Sequence, residues 1–472
     1  MLPVLHTKSI LPLLCLFALL LFALPFNNAK SDTDLPECFW NPSKKQCTAE
    51  DQLYVQPVAE LNAKQMQRFE EGLKLFKAPW TVFPLIDGEW GLGPTFIASS
   101  CTGCHVNAGR GATVDASNKV IVEQLVRISV PSAVDSGEPV AHPLYGRQLQ
   151  VFSIFGESLS RPATGEAEVY VDWIEEKKTL ADGTEIALRR PQIRIANPVF
   201  GELGASTMMS LRNTPVLLGM GYLDAVPEEA ILNLAAQQKA QGLNGRPNYV
   251  KDDISGKLSL GRFGWKANQP TLKQQVAAAH IGDMGITSSL YEEQNCPKPQ
   301  AQCLAAHQTG KHELSDATWD AITLFLAYVE APPQPKTEHT RFAQGEKLFQ
   351  AAGCNGCHVA ELKTGSFPAM PAIENKRFAP YTDLLLHDMG EALADNRPDF
   401  LASGRDWRTA PLWGIGLSKR VNGSTNFLHD GRARSVTEAI LWHGGESEKS
   451  REKFAHLNKA ERDLLLDFVN AL

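Results

Sequence analysis

A mainly α-helical chain of two similar units, with an antiparallel β insertion in the first, is what this sequence predicts on three observations. A nine-residue pattern occurs twice. Arg68-Phe-Glu-Glu-Gly72-Leu-Lys-Leu-Phe76 and Arg341-Phe-Ala-Gln-Gly345-Glu-Lys-Leu-Phe349 agree at six of nine positions, with apolar residues at helical spacing. Each copy is followed by a Cys-x-x-Cys-His string, Cys101-Thr-Gly-Cys104-His105 and Cys354-Asn-Gly-Cys357-His358. Between about 120 and 200 the period changes to two. Val169-Tyr-Val-Asp-Trp173 and Gln192-Ile-Arg-Ile195 alternate apolar and polar, and Asp182-Gly183 offers a hairpin turn between them.

In chain order, residues 1–29 read as a secretory signal peptide. Lys8 stands in an acid-free start, Ile10 to Phe26 is almost wholly apolar but broken by Pro12 and Pro25, and Ala29 offers a small residue for cleavage. Cys15 follows Leu14 rather than a small residue, which argues against lipid attachment. No later stretch is long and apolar enough to span a bilayer. The expectation is a periplasmic protein with no stable membrane span after signal removal. The first unit is placed at 30–330 and the second at 331–472, divided at the proline-rich Ala331-Pro-Pro-Gln-Pro335. The second helical repeat reaches its cysteine almost at once, whereas Ala78 to Ser100, rich in Gly, Pro and Trp, separates the first repeat from its own. Arg212-Asn-Thr-Pro215 and Arg408-Thr-Ala-Pro411 form a second echo.

Cys-x-x-Cys-His is the attachment string of c-type haem: two thiols add across the haem vinyl groups, and the next residue ligates the iron. A redox dithiol needs no histidine there, and a zinc cage built from all four thiols would leave both histidines idle. Two covalently bound c-type haems are therefore expected, on Cys101, Cys104, Cys354 and Cys357, with His105 and His358 as proximal ligands. This makes the predicted units cytochrome-c-like. With Cys15 in the signal, four of the nine cysteines remain. Cys38 with Cys47, and Cys296 with Cys303, are two local pairs expected to be disulfides in an oxidising compartment. The net charge is −7 with histidine neutral and there is no basic tract, so nucleic acid is not an expected partner.

The chain resembles the periplasmic di-haem oxidoreductases, sometimes labelled thiol oxidoreductases. These are distant relatives of the di-haem cytochrome c peroxidases and of the di-haem enzyme of methylamine utilisation. The resemblance is carried by Phe96 to Gly111 around the first motif, by Gly261-Arg-Phe-Gly-Trp-Lys-Ala267, by Asp283-Met-Gly-Ile-Thr287, by Trp407-Arg-Thr-Ala-Pro-Leu-Trp-Gly414 and by Phe427-Leu-His-Asp-Gly-Arg-Ala-Arg434. It implies two facing haem domains with electron transfer between them. The thiol label is discounted, because haem attachment consumes those thiols. Where the family often carries an Asp/Asn-rich loop suggestive of calcium, this chain reads Gln238-Lys-Ala-Gln-Gly-Leu-Asn-Gly245 without a carboxylate, so a calcium site there is in doubt.

The resemblance also suggests distal ligands. Counting from His429-Asp430-Gly431, as in the peroxidase relatives, reaches His443 as distal ligand of the second haem, with Met389 its rival. His429 itself is expected near a propionate or the domain interface. The same counts in the first unit land on Ala279 or Leu234, which cannot bind iron. Nearby, Met284 is the first candidate as ligand or lid, and His280 is the second candidate ligand or else a distal acid/base. Arg212, Arg408, Arg432 and Arg434 are placed as propionate partners or surface ion pairs. Trp90 and Trp407 are read as electron relays or core residues. The activity expected is a peroxidase-like periplasmic di-haem oxidoreductase, fed by a small periplasmic electron carrier and acting on an unknown oxidant. The alternatives are a pure electron-transfer protein without substrate and a role in metal handling.

Overall fold

The computed structural model describes residues 53–83, 89–114, 117–120, 122–132, 137–158, 161–306, 312–331 and 340–472. The expected signal peptide, the expected Cys38–Cys47 pairing and most of the proline-rich break lie outside the described residues. The principal helices are α1 (Ala63–Lys77), α2 (Cys101–Cys104), α3 (Leu272–Met284), α4 (Asp316–Ala327), α5 (Thr340–Ala352), α6 (Val436–Leu441), α7 (Glu448–His456) and α8 (Lys459–Ala471). The principal strands are β1 (Gln124–Ser129), β2 (Glu168–Thr179), β3 (Glu185–Ala196), β4 (Met208–Asn213), β5 (Leu386–Asp388) and β6 (Asp406–Arg408).

The helical repeat makes the same crossing twice. α1 packs on α4, and α5 packs on α8. The contact is made at glycine: a β-carbon on Gly72 would overlap the Ala321 carbonyl, and one on Gly345 would overlap the Leu464 carbonyl. With backbones this close, aromatic rings fill the flanks. Phe69 and Phe76 lie 5.1 and 5.2 Å from Phe325, while Phe342 and Phe349 lie 4.8 and 5.2 Å from Phe468. Phe76 and Phe349 then turn toward the motif histidines, at 6.5 Å from His105 and 6.4 Å from His358. Asn62 opens α1 and Asn458 opens α8, each with a reciprocal capping box through Gln65 or Glu461.

The expected fold class, mainly α with two cytochrome-c-like haem domains and one antiparallel β insertion, is not what the chain adopts. The structure is 33% helical and 22% strand, and its strands form several small antiparallel sheets spread along the chain. β1 pairs with β4, β2 with β3, and β5 with β6. Two-residue pairs such as Leu362–Lys363 with Arg377–Phe378 are too short to leave an alternation in the sequence. β2 and β3 pair along their whole length from Glu168↔Ala196 to Thr179↔Glu185, with Gly183 in the left-handed turn conformation (φ +84°).

Apolar side chains gather mainly in a core around α1, α3 and α4 and another around α5, α6 and α8. Leu180 and Leu188, from the β2–β3 hairpin, belong to the latter. Cys296 and Cys303 are disulfide-bonded, with Cα atoms 5.7 Å apart.

Candidate functional site

The first motif forms the short helix α2, opened by Ser100, whose hydroxyl accepts from Gly103 N at 3.1 Å. Its thiols and those of the second motif are free rather than disulfide-bonded. Burial pushes the Cys101 and Cys354 thiols up to about 12, and raises Cys104 and Cys357 as well. A reactive dithiol needs the opposite shift. Among the described residues the four thiols do not converge into one metal-binding group either.

A cavity of about 280 Å³ opens beside α2, lined by Cys101, Cys104, His105 and Phe76 on one side and by His280 and Met284 of α3 on another. His105 Nδ1 donates to Pro215 O at 3.0 Å, and His280 Nδ1 to Val276 O at 2.7 Å. A carbonyl only accepts, so each ring carries its proton on Nδ1 and keeps a lone pair on Nε2. Burial holds both imidazoles down to about 4, against a smaller upward pull from these hydrogen bonds. His280 is 1% exposed, and its Nε2 is buried without a hydrogen-bond partner. That is costly unless something occupies the position. Met284 lies one turn further along α3, 3% exposed, lining the same cavity.

Four arginines line the cavity (Arg110, Arg127, Arg212, Arg408) against two aspartates, Asp283 and Asp399. Arg110 has Nε and Nη1 buried without partners. A group carrying two carboxylates, as haem does, fits that excess of cations and those orphan donors. Arg212 also pairs with Asp395 at 3.0 Å, and Arg408 donates to the carbonyls of Gly264 and Thr409. Arg432 and Arg434 are committed elsewhere. Arg432 pairs with Asp430 at 2.7 Å, and Arg434 bridges Glu438 and Glu175. Sequence reasoning missed Arg110, although it closes the first motif's Val-Asn-Ala-Gly-Arg tail. It also missed Arg127, which sits in a strand with no distinguishing signal.

The second motif repeats the histidine geometry. His358 Nδ1 donates to Tyr381 O at 2.9 Å, and His443, just beyond α6, donates to Ala439 O at 2.7 Å. Burial lowers both, His358 to about 4, and the nearby His443 depresses His358 further. Met389 is partly engaged, its Sδ accepting from the Ser447 hydroxyl at 3.8 Å. His456 makes the same kind of backbone bond as these histidines but on the exposed face of α7, whereas His280 is buried and His105, His358 and His443 are half-buried.

Beside Cys357 lies a buried polar knot that the sequence reading did not single out. His387 Nε2 donates to Asp383 at 2.8 Å and its Nδ1 to Glu446 at 3.1 Å, with Cys357 Sγ 3.7 Å away. Burial disfavours charge on His387, but the hydrogen bonds to Asp383, Cys357 and Glu446 outweigh it and raise the imidazole to about 12. The Gln238–Gly245 stretch is tied into the same knot. Gln238 Nε2 donates to Asp383 at 2.6 Å and to Gly356 O at 2.8 Å, and Asn244 N donates to Glu446.

Trp407 stacks on His429 at 3.6 Å with the planes 9° apart. With that face covered, the Arg212 guanidinium and the Lys266 ammonium, each 4.6 Å from the ring, occupy the other. Cations there oppose an oxidised, positively charged indole, so the surroundings of Trp407 favour packing over a relay role. Trp90 is 36% exposed on the Ala78–Ser100 segment.

A second histidine, His280 or His443, thus stands near the cysteines and histidine of each motif. The chain matches the family described as "Di-haem oxidoreductase, putative peroxidase" over residues 48–472, and it belongs to that family. No curated protein matches it. Among solved structures it is similar to the hydrazine synthase of Kuenenia stuttgartiensis, in a xenon-pressurised form. There the identity is 12%, the match covers 90% of this chain and 91% of the other, and the TM-score is 0.38. A likeness of that size bears on neither activity nor site.

Proposed function

We propose that this member of the di-haem oxidoreductase family is an exported, periplasmic protein holding two covalent c-type haems and acting as a peroxidase-like oxidoreductase. Cys101, Cys104 and His105 would hold one haem, and Cys354, Cys357 and His358 the other. One observation carries the reading. Two histidines near each cysteine pair, His105 with His280 and His358 with His443, keep Nδ1 protonated against a carbonyl and Nε2 free for iron. Haem supplies one-electron redox chemistry and, where an axial position opens, a place for a small oxidant. The protein's part is to bind, orient and insulate. The backbone carbonyls fix ring orientation, Arg110, Arg127, Arg212 and Arg408 balance carboxylate charge, and the buried walls keep water away. His280, rather than Met284, has the attributes of the distal ligand in the first cavity, which leaves Met284 as a neighbour one turn away. Electrons would come from a small periplasmic carrier.

A second reading, a pure electron-transfer protein, is favoured by that same His280, since two histidines available to hold each haem would leave no place for an external oxidant. The test is spectroscopy of the purified holoprotein. Its mass should exceed that of the mature polypeptide by two haems, and C354A/C357A should remove one. H443A and H280A should each convert one low-spin iron, and a different one, to high spin. Cyanide or peroxide perturbing one haem in the half-reduced wild type supports the enzyme. Inertness of both haems in every redox state supports the carrier. A colourless folded protein would falsify both readings.

A further inference from the structure

The Ala78–Ser100 segment has no counterpart before the second motif: Phe349 precedes Cys354 by five residues, whereas Phe76 precedes Cys101 by twenty-five. Its described residues run to the far side of the cavity. Gly93 N donates to Met284 O at 2.9 Å, and Ile97 N donates to Asp283 O at 2.7 Å. The contact is backbone on backbone. Gly285, in the left-handed conformation (φ +64°), closes α3, and a β-carbon there would lie 2.8 Å from Thr95 O and 2.9 Å from Gly93 Cα. The same α3 terminus returns to His280, whose carbonyl accepts from Ile286 N at 3.0 Å. The segment closes on itself where Trp80 N donates to Ser99 O at 2.7 Å, next to the Ser100 that caps α2. One strap thus ties the helix bearing the cysteines to the helix bearing His280.

Trp80 is the strap's anchor. It is 1% exposed and meets the His280 ring edge-on, with centroids 6.0 Å apart and planes 80° apart. His443 in the second half also precedes a left-handed glycine packed against backbone, Gly445 against Asp388 and Gly390, but among the described residues no aromatic ring packs on it. The two sites therefore match in histidine and tautomer, and differ in what holds the distal ring.

We infer that Trp80 is a positioning residue for His280: through the strap it sets how readily the imidazole leaves the first iron and admits an external ligand. This rests on the reading of His280 as distal ligand. An incoming ligand's apparent affinity scales with the fraction of molecules whose His280 has swung away. Losing one edge-on aromatic contact should raise that affinity roughly two- to tenfold.

The experiment is a cyanide titration of the oxidised holoprotein, followed by Soret absorption and EPR, for wild type, W80F, W80L and H280A. The expected result is tighter cyanide binding at one haem in W80L, a smaller change in W80F where a ring is retained, and the largest in H280A. The haem lost in C354A/C357A should keep its EPR signal throughout, which also reports that each variant is folded. Unchanged cyanide affinity in W80L, with H280A raising it, overturns the role of Trp80 while leaving the ligand reading intact. Equal shifts at both haems in W80L overturn it as well, since they mark general loosening. An unaltered H280A spectrum in a protein that carries two haems shows that His280 is not the ligand, and the inference falls with that reading.

Discussion

At the scale of single residues, His387 decides more than its neighbours in sequence suggest. Both its nitrogens donate to carboxylates, Asp383 and Glu446, so the ring is an imidazolium that neutralises an acidic pair inside the protein. Asp383 is fully buried and Glu446 nearly so. The sign of the linkage follows. The folded pKa, about 12, lies above the ordinary value, so the stabilisation is complete below about 6.5 and is lost as pH rises toward 12. H387Q removes the cation and strands two buried carboxylates, which should cost about 3–5 kcal/mol, measured by urea unfolding followed by circular dichroism. EDTA should leave the wild type unchanged, because the position a divalent cation would take is already filled. A chelator that lowers wild-type stability would place a metal there and reject this account. Little of the knot was legible in sequence, since its members lie at 238, 356, 383, 387 and 446. The motif cysteines and histidines were legible, because their chemistry is written within five consecutive residues.

At the scale of elements, the β2–β3 hairpin is an arm. It leaves the first half of the chain and ends on the second. Leu180 and Leu188 bury in the core of α5, α6 and α8, Ala181 N donates to Ala455 O at 3.1 Å, and Arg462 pairs with Asp182 at 2.7 Å. Glu175 and Lys178 add ion pairs to Arg434 and Glu452. Those pairs are largely exposed and contribute little, so the leucines carry the attachment. L188A should destabilise the protein by about 2–5 kcal/mol. The loss should register as faster amide exchange in α7 and α8, some 270 residues away in sequence. Faster exchange confined to β2 and β3 would show that the arm merely rests on its neighbour. Alternation and Asp182-Gly183 revealed the two strands and their turn, because period two and a left-handed glycine are local signals. They did not reveal the destination. An apolar face announces that it will be buried, not by what.

At the scale of the whole molecule, the duplication survives in helix crossings, motif turns and the backbone bonds of the distal histidines, while the connecting chain has diverged into small sheets. The mainly α expectation failed because the repeats are helical and conspicuous, whereas strands such as β5 and β6 span three residues each and lack a detectable period. What both halves share electrostatically is a set of desolvated neutral histidines. Burial holds His105, His280 and His358 to about 4 and His429 to about 3, and lowers His443 too. Their folded values lie below the ordinary 6.5, so the unfolded chain binds protons first and stability falls as pH drops from about 6.5 toward 4. Glu166, raised by burial to about 8, works in the opposite sense and offsets part of the slope. Total slope is therefore a poor test, and a difference is a good one. His429 sits against Trp407 and Asp430 and is not a haem ligand in this reading. H429Q should remove one proton from the balance, flattening stability against pH between 6.5 and 4 by about 1.4 kcal/mol per pH unit. Both haem spectra should stay as they are. An unchanged slope would mean that His429 titrates normally in the folded protein, and a changed haem spectrum would move it from the buried stack to the iron.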